Sequence, residues 1–320
     1  MASNVFDQLE KVVGRLIETV PFFKGLKPAE VFEFLSKAKQ TTFKKGEVVF
    51  REGDEAAQQL YLVMKGSCEV RKTLADGSSD VVHTLDVGQC IGEMALVDNQ
   101  PRSATVVAKT DALLLGCDGD FVGAFPNIAF RLYENLAHII AQRHLDVDRE
   151  LKLNLRPVCE ETCVKEITKT MPPPAGVIGS RGLTALMELG QPYAVAKGEY
   201  VVKENSLGQN MYIVLEGELA VSKAVEGEES RLAVLKRGAY FGETALVSED
   251  HGRTANVQAL DNAKLIRLNA SHLQKTPALG ALIYKELARI FSMRLRRSTQ
   301  VLMQTVGREC QRDCPMMAAT

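Results

Sequence analysis

The sequence predicts an α+β, mainly β chain of two tandem β-roll (jelly-roll-like) barrels, each flanked by N- and C-terminal helices. Three observations predict it: an internal repeat with a period near 150 residues, short strand-like runs inside each copy, and helical periodicity at the edges of each copy.

The repeat organises everything else. "GEVVFREGDEAAQQLYLVMKGSCEV" from Gly46 returns as "GEYVVKENSLGQNMYIVLEGELAV" from Gly198, so that Glu47 matches Glu199, Tyr61 matches Tyr212 and Gly66 matches Gly217. Further on, Glu93 matches Glu243 and Arg102 matches Arg253. A period this long exceeds that of a solenoid and suits two complete domains.

Inside each copy, runs rich in Val, Leu, Ile and Tyr are broken by glycine or charged turns, the pattern of short antiparallel strands. "QLYLVMKGSCEVRK" reads as a hairpin turning near Lys65-Gly66, and "NMYIVLEGELAVSK" repeats it at Glu216-Gly217, where glycine supplies the positive φ of a tight turn. Regularly spaced strands favour a β-roll over an alternating βαβ sheet.

Helical periodicity takes over at the edges. From Phe6 to Ser36 the apolar positions Val12, Val13, Leu16 and Ile17 precede a "VPFFKGL" turn, and Val31, Phe32 and Leu35 follow it. "FVGAFPNIAFRLYENLAHIIAQRHLDVDREL" follows the first barrel and "PALGALIYKELARIFSMRLRRSTQVLMQTV" the second. Between them Pro172-Pro173-Pro174 and the glycines Gly176, Gly179 and Gly182 interrupt regular structure. The expected division is a first domain over 1–150 with its barrel at about 40–118, a linker with lead-in helices over 151–192, and a second domain with C-terminal helices over 193–320.

Composition narrows the function classes. At 46% hydrophobic and 25% charged residues the chain has the profile of a soluble globular protein. A formal net charge of −1 argues against a nucleic-acid-binding surface, so a phosphate-bearing ligand needs a dedicated pocket. The N-terminus lacks the unbroken apolar core of a signal peptide and no stretch is long enough to span a bilayer, which reads as a cytoplasmic protein with no membrane partner. Seven cysteines without a secretory signal are expected to be reduced. Cys159/Cys163 and Cys310/Cys314 share a C-x3-C spacing, but unpaired thiols outweigh a four-thiolate zinc site there, and no metal is expected.

The chemistry concentrates in "IGEMALVDNQPRSATV" and its copy "FGETALVSEDHGRTANV". A short helix start after glycine gathers backbone N–H groups that suit an anion, and the arginine adds charge and a planar pair of donors for phosphate oxygens. The glutamate cannot face that phosphate, because neighbouring anions repel. As an acceptor-only group it suits a hydroxyl instead. A ribose 2′-OH beside a cyclised, singly charged phosphate satisfies both side chains, which describes a nucleoside 3′,5′-cyclic monophosphate.

"GEMALVDNQPRSATVVAKTDALLLGCDGDF" and "FGETALVSEDHGRTANVQALDNAKLIRLN" resemble the phosphate-binding cassettes of cyclic nucleotide-binding domains, in the tandem arrangement of the regulatory parts of cAMP- and cGMP-dependent protein kinases. The resemblance runs from about Phe22 to Leu302. It implies that Gly92 and Glu93 bind the ribose 2′-OH, while Arg102 and the backbone around Ala95, Ser103 and Ala104 hold the phosphate. In the second domain it assigns the same work to Gly242, Glu243, Ala245, Arg253, Thr254 and Ala255. The first cassette keeps the family spacing from glutamate to arginine; the second has one residue more and carries Gly252 where the family places proline.

For the base, the first cassette is more similar to those of cAMP-dependent kinase regulatory subunits, and cAMP is expected there. The other cassette is more similar to those of cGMP-dependent kinases, and its preference between cAMP and cGMP stays open. Beyond the ligand, the resemblance implies a protein partner, and three outputs are open. The first is a regulator that releases a kinase catalytic subunit when nucleotide reorders the helices after each barrel. The second is a cyclic nucleotide effector or buffer acting on a non-kinase partner. The third, a β-roll metal enzyme, is disfavoured because His83, His138, His144, His251 and His272 form no cluster with carboxylates, and no catalytic triad is readable. The chain is therefore read as no enzyme, needing no cofactor beyond its ligand. "RRST", Arg296 to Thr299, reads as a basic helical face, and Tyr133, Tyr284 and Phe291 are candidates to cap the base, although helical spacing favours core.

Overall fold

The computed structural model describes residues 2–55, 59–73, 77–119, 122, 126–154, 186–187, 189–225, 228–248 and 252–306. The chain divides into two compact units, Met1–Arg156 with Tyr284–Thr320, and Pro157–Ile283. Cys159, Cys163, Cys310, Cys314, His251 and the Pro172–Pro174 run lie outside the described residues.

The first unit opens with helix α1 (Ala2–Thr19), a 3-10 turn (Pro21–Phe23) and α2 (Pro28–Lys37). Phe34 packs edge to face on Phe22 and Phe23, which are tilted against each other, all with ring centroids 5.3 to 5.4 Å apart, while Val12 and Phe32 turn outward. Burial is shared between the aromatic turn and one face of each helix, since Val13 on α1 and Val31 and Phe34 on α2 are buried while their neighbours Val12 and Phe32 are exposed.

Eight strands follow: β1 (Lys39–Phe43), β2 (Val48–Phe50), β3 (Gln59–Lys65), β4 (Cys68–Thr73), β5 (Ser79–Leu85), β6 (Cys90–Ile91), β7 (Thr105–Ala108) and β8 (Ala112–Asp118). They form two antiparallel four-stranded sheets, ordered β1-β8-β3-β6 and β2-β7-β4-β5. The second unit repeats this with β9 (Gln191–Val195), β10 (Tyr200–Val202), β11 (Met211–Glu216), β12 (Leu219–Val225), β13 (Glu228–Leu235), β14 (Tyr240–Phe241), β15 (Asn256–Ala259) and β16 (Ala263–Leu268). Its sheets run β9-β16-β11-β14 and β10-β15-β12-β13. Each domain is a jelly-roll-like sandwich with its core between the sheets: Val63, Leu85, Ile91, Val106 and Leu114 in one, Val214, Leu235, Phe241, Val257 and Leu265 in the other. The copies match even in their irregularities, since the register shifts at Val48/Phe50 and Val63/Lys65 return at Tyr200/Val202 and Val214/Glu216.

One expectation is corrected. The turns at Gly66 and Gly217 do not close hairpins; β3 and β4 lie in different sheets, as do β11 and β12. At Gly66 φ is +80°, and a Cβ there would lie 2.3 Å from Asp111 O. Glycine permits a corner that carries the chain from one sheet to the other against the turn before β8. The true hairpins pair β4 with β5 and β12 with β13.

Between β6 and β7 lies helix α3 (Glu93–Asp98), and β8 leads to α4 (Pro126–Asn154). The second unit has the shorter α5 (Thr244–Val247) in the matching place, then α6 (Ala270–Gln274) and α7 (Pro277–Val306). Sequence order assigned 193–320 to the second domain; from Tyr284 onward α7 instead groups with the first unit. The reason is packing: Tyr284 meets Phe130 at 5.6 Å, Phe291 meets His144 at 6.1 Å, and Ser298 Oγ donates to Asp148 Oδ1 at 2.8 Å. These pairs keep an offset near 150 along both helices, so α4 and this part of α7 run side by side in the same direction. Among the described residues no helix is long and apolar enough to cross a membrane.

Candidate functional site

Both cassettes begin with a glycine in the left-handed region, Gly92 at φ +79° and Gly242 at φ +74°. After β6 or β14 the turn places the following carboxylate at the start of a short helix, Glu93 as the first residue of α3 and Glu243 as the N-cap of α5. Glu93 and Glu243 are buried, with only 3% and 6% of their surface exposed. Arg102 and Arg253 are buried as deeply, at 5% and 7%. Burial of charged groups at this depth is costly without partners, so the arrangement around them carries information.

Each arginine is held in two ways. Its backbone pairs with a tight loop: Arg102 N donates to Asp54 O at 2.9 Å and Arg102 O accepts from Gly53 N at 2.9 Å, while Arg253 does the same with Ser206 O and Asn205 N at 2.9 and 2.8 Å. Its guanidinium folds back over the glycine, Nη1 donating to Gly92 O or Gly242 O at 3.2 Å in both domains. The fit leaves no room for a side chain, since a Cβ on Gly92 or Gly242 would come within 2.2 or 2.4 Å of that Nη1. Arg102 also lies over the Phe50 ring, 4.1 Å from its centroid.

The electrostatics place acid and base in one site. Burial lowers the pKa of Arg102 below the ordinary guanidinium value, opposed by Tyr61, Glu93 and Asp54 nearby. Burial does the same to Arg253, opposed by Tyr212 and Glu243. Glutamate and arginine, separated in sequence, thus share a field in each domain. Among the described residues Gly92 O is the one hydrogen-bond acceptor for the Arg102 side chain, whereas Arg253 also donates from Nη2 to Asn210 O at 2.7 Å. A guanidinium has five N–H donors, so among the described residues most of those on Arg102 are uncommitted.

The remaining predicted residues divide. Ala95, Ala104 and Ala245 are buried beside these groups. Ser103 is half-buried, its Oγ 3.5 Å from Met94 Sδ, whereas Thr254 is exposed and Ala255 half-exposed. Tyr133, Tyr284 and Phe291 are buried core residues of the α4 and α7 pair, consistent with their helical spacing. Burial beside the Glu134 carboxylate raises the pKa of Tyr284.

Sequence reasoning missed Arg143. On α4, fifty residues beyond Glu93, its Nη1 donates to Glu93 Oε1 and its Nη2 to Cys90 O at 2.8 Å. A carboxylate oxygen held this way leaves its partner oxygen as the acceptor for a hydroxyl. The only advance signal was a basic residue on the helix after the barrel, one of several there.

The cyclic nucleotide-binding domain family matches residues 40–125 and 193–277, together more than half of the chain. This chain belongs to that family. The cyclic nucleotide-binding domains hold the paired cassettes, since Gly92, Glu93 and Arg102 fall in one match and Gly242, Glu243 and Arg253 in the other. The chain is 26% identical to a cAMP-dependent protein kinase regulatory subunit of Dictyostelium discoideum over 74% of its own length and 64% of that protein's. It is 31% identical to that of Yarrowia lipolytica over 72% and 52%, and 23% identical to cGMP-dependent protein kinase 2 of Rattus norvegicus over 79% and 29%. The chain therefore spans less than two thirds of the length of these relatives.

Proposed function

We propose that the chain is a cyclic nucleotide sensor, each domain binding a nucleoside 3′,5′-cyclic monophosphate and the first binding cAMP. The observation that carries this is a buried guanidinium folded onto the cassette glycine beside a buried carboxylate, a pairing that recurs in both domains. The arginine takes the cyclic phosphate and the glutamate the ribose 2′-OH, with Arg143 holding Glu93 in place and aimed. The bound state alters the binding of a protein partner, a kinase catalytic chain by likeness to the regulatory subunits above. In this reading the chain has no catalysis of its own. The reading also places it in the cytoplasm, supported by the free, buried thiols of Cys68, Cys90 and Cys117; burial pushes the first two up to about 11 and about 12.

Isothermal titration with cAMP, cGMP and 5′-AMP tests the ligand. Arg102→Lys and Arg253→Lys keep the charge but lose the planar fork, and each is expected to weaken its own site by about 10- to 100-fold, the range of one or two charge-assisted bonds. Unchanged binding in both variants overturns the assignment. Affinity capture with and without cAMP tests the output: a kinase catalytic chain released by cAMP supports the regulator, and a different protein retained or released in its place supports a non-kinase effector.

A further inference from the structure

The cassette of the first domain ends on an aspartate whose partners come from the far end of the chain. Asp98, the last residue of α3, has a side chain that is 1% exposed, and both carboxylate oxygens are occupied. Oδ2 accepts from Ser292 Oγ at 2.6 Å and Arg296 Nε at 2.7 Å; Oδ1 accepts from Gln100 N at 3.0 Å and Arg296 Nη2 at 3.2 Å. Arg296 Nη1 then donates to Pro101 O at 2.9 Å. One guanidinium thus grips both ends of the four-residue segment that leads into Arg102. The "RRST" stretch is not merely a basic helical face: Arg296 is committed to Asp98 and Pro101, and Ser298 is buried on Asp148.

The position of the grip matters for binding. Arg102 and Ser103 follow Pro101 directly, and Arg102 is anchored on its other side by Gly53 and Asp54. Without Arg296, the segment would keep its Gln100–Asp98 turn but lose the fixed attachment of Pro101, and Asp98 would be left as a buried carboxylate short of partners. The second cassette lacks this carboxylate at the matching position. Five residues after its glutamate stands Ser248, and a hydroxyl offers no bidentate surface to a guanidinium.

We propose that Arg296, seconded by Ser292, is a positioning residue for the first nucleotide site, presenting Arg102 and Ser103 to the phosphate through the 98–101 segment. The last helix of the chain, which follows the second domain in sequence, is then part of the machinery of the first. Preorganisation of this kind raises affinity by removing the cost of ordering the loop on binding. This inference rests on the cyclic nucleotide reading above.

The test uses the full chain carrying Arg253→Lys, so that cAMP titration reports the first site. Adding Arg296→Gln is expected to weaken that site by about 10-fold or more, with Arg296→Lys in between, because lysine restores the charge but not the fork. In the chain with Arg102→Lys, where the second site is read alone, Arg296→Gln is expected to change affinity by less than about twofold; this also serves as the folding control. In the ligand-free chain, amide exchange over residues 98–103 is expected to accelerate in Arg296→Gln. Asp98→Asn added to Arg296→Gln is expected to cost little more than either alone, since both remove one interaction. Equal first-site affinity, equal losses at both sites, or fully additive losses overturn the proposal while leaving the nucleotide reading intact. A parental chain that binds no cyclic nucleotide overturns the nucleotide reading and this inference with it.

Discussion

In the first cassette Arg102 Nη1 donates to Gly92 O at 3.2 Å, and in the second Arg253 Nη1 donates to Gly242 O at the same 3.2 Å, although the second carries one more residue between glutamate and arginine. The added residue leaves the anchor in place because the backbone of each arginine is fixed by a neighbouring loop, Gly53 and Asp54 in one domain, Asn205 and Ser206 in the other. The cassettes differ in what surrounds that anchor. α3 has six residues and ends on Asp98, tied to Arg296; α5 has four and ends before Ser248. Arg253 commits a second donor to Asn210 O, which Arg102 does not match among the described residues. The guanidinium fold is therefore the invariant of the pair, and the loop before it is the variable.

The largest effect that tests this comparison is a methyl group on the invariant glycine. Gly92→Ala must hold φ at +79° and place a Cβ 2.2 Å from Arg102 Nη1 and 2.8 Å from Gln59 O. Because the backbone oxygen cannot step aside, the arginine has to leave its position. Cyclic nucleotide binding at the first site is expected to fall more than about 100-fold, with a stability loss of about 1–3 kcal/mol from the left-handed backbone. Gly242→Ala, at 2.4 Å from Arg253 Nη1 and 3.0 Å from Asn210 O, is expected to act the same way on the second site. Titration and thermal melts of both variants check the symmetry; a second site that tolerates alanine would show that its arginine does not bind as the first does.

A smaller effect sharpens the asymmetry. Arg143→Gln removes the charged partner of Glu93 and leaves that carboxylate buried at 3% exposure with weaker support. First-site affinity is expected to drop about 10-fold, in line with loss of one charge-assisted bond, and second-site affinity to stay level. Titrations in the Arg253→Lys and Arg102→Lys backgrounds separate the two. Loss at both sites would show that Arg143 supports the fold in general rather than Glu93 in particular.

These pairs also mark how far the sequence was legible. The cassettes were readable because Gly92, Glu93 and Arg102 sit in one short stretch that recurs about 150 positions later with a single added residue, so the pattern is local in sequence. Arg143 and Arg296 were not, because their partners lie about 50 and about 200 positions away, and a basic residue on an amphipathic helix has the same appearance whether it meets solvent or a buried carboxylate. The strands were readable by their runs, but not the sheet each joins. The glycine turns at Gly66 and Gly217 have the composition of a hairpin, and only the contact with the turn before β8 or β16 makes them corners. The place of α7 was hidden for a similar reason: apolar positions such as Tyr284, Phe291 and Leu295 announce a buried face without naming the helix that covers it.

The smallest expected effect lies at Gly252, where the second cassette has lost the family proline. Its φ is not positive, and a Cβ built there meets nothing within 4 Å. It pairs in an isolated antiparallel bridge with Leu207, a residue that any β-compatible side chain can face. Gly252→Ala should therefore add no strain to the folded chain and reduce the freedom of the unfolded one, for a gain of about 0.4–1 kcal/mol. Second-site affinity is expected to stay within about twofold in the Arg102→Lys background, because Arg253 is anchored by Asn205 and Ser206 and not by its preceding residue alone. A thermal melt reads the first quantity and a titration the second. If alanine here weakens the second site by about tenfold, the loop before Arg253 is as integral to binding as the one before Arg102, and the two cassettes differ in sequence more than in design.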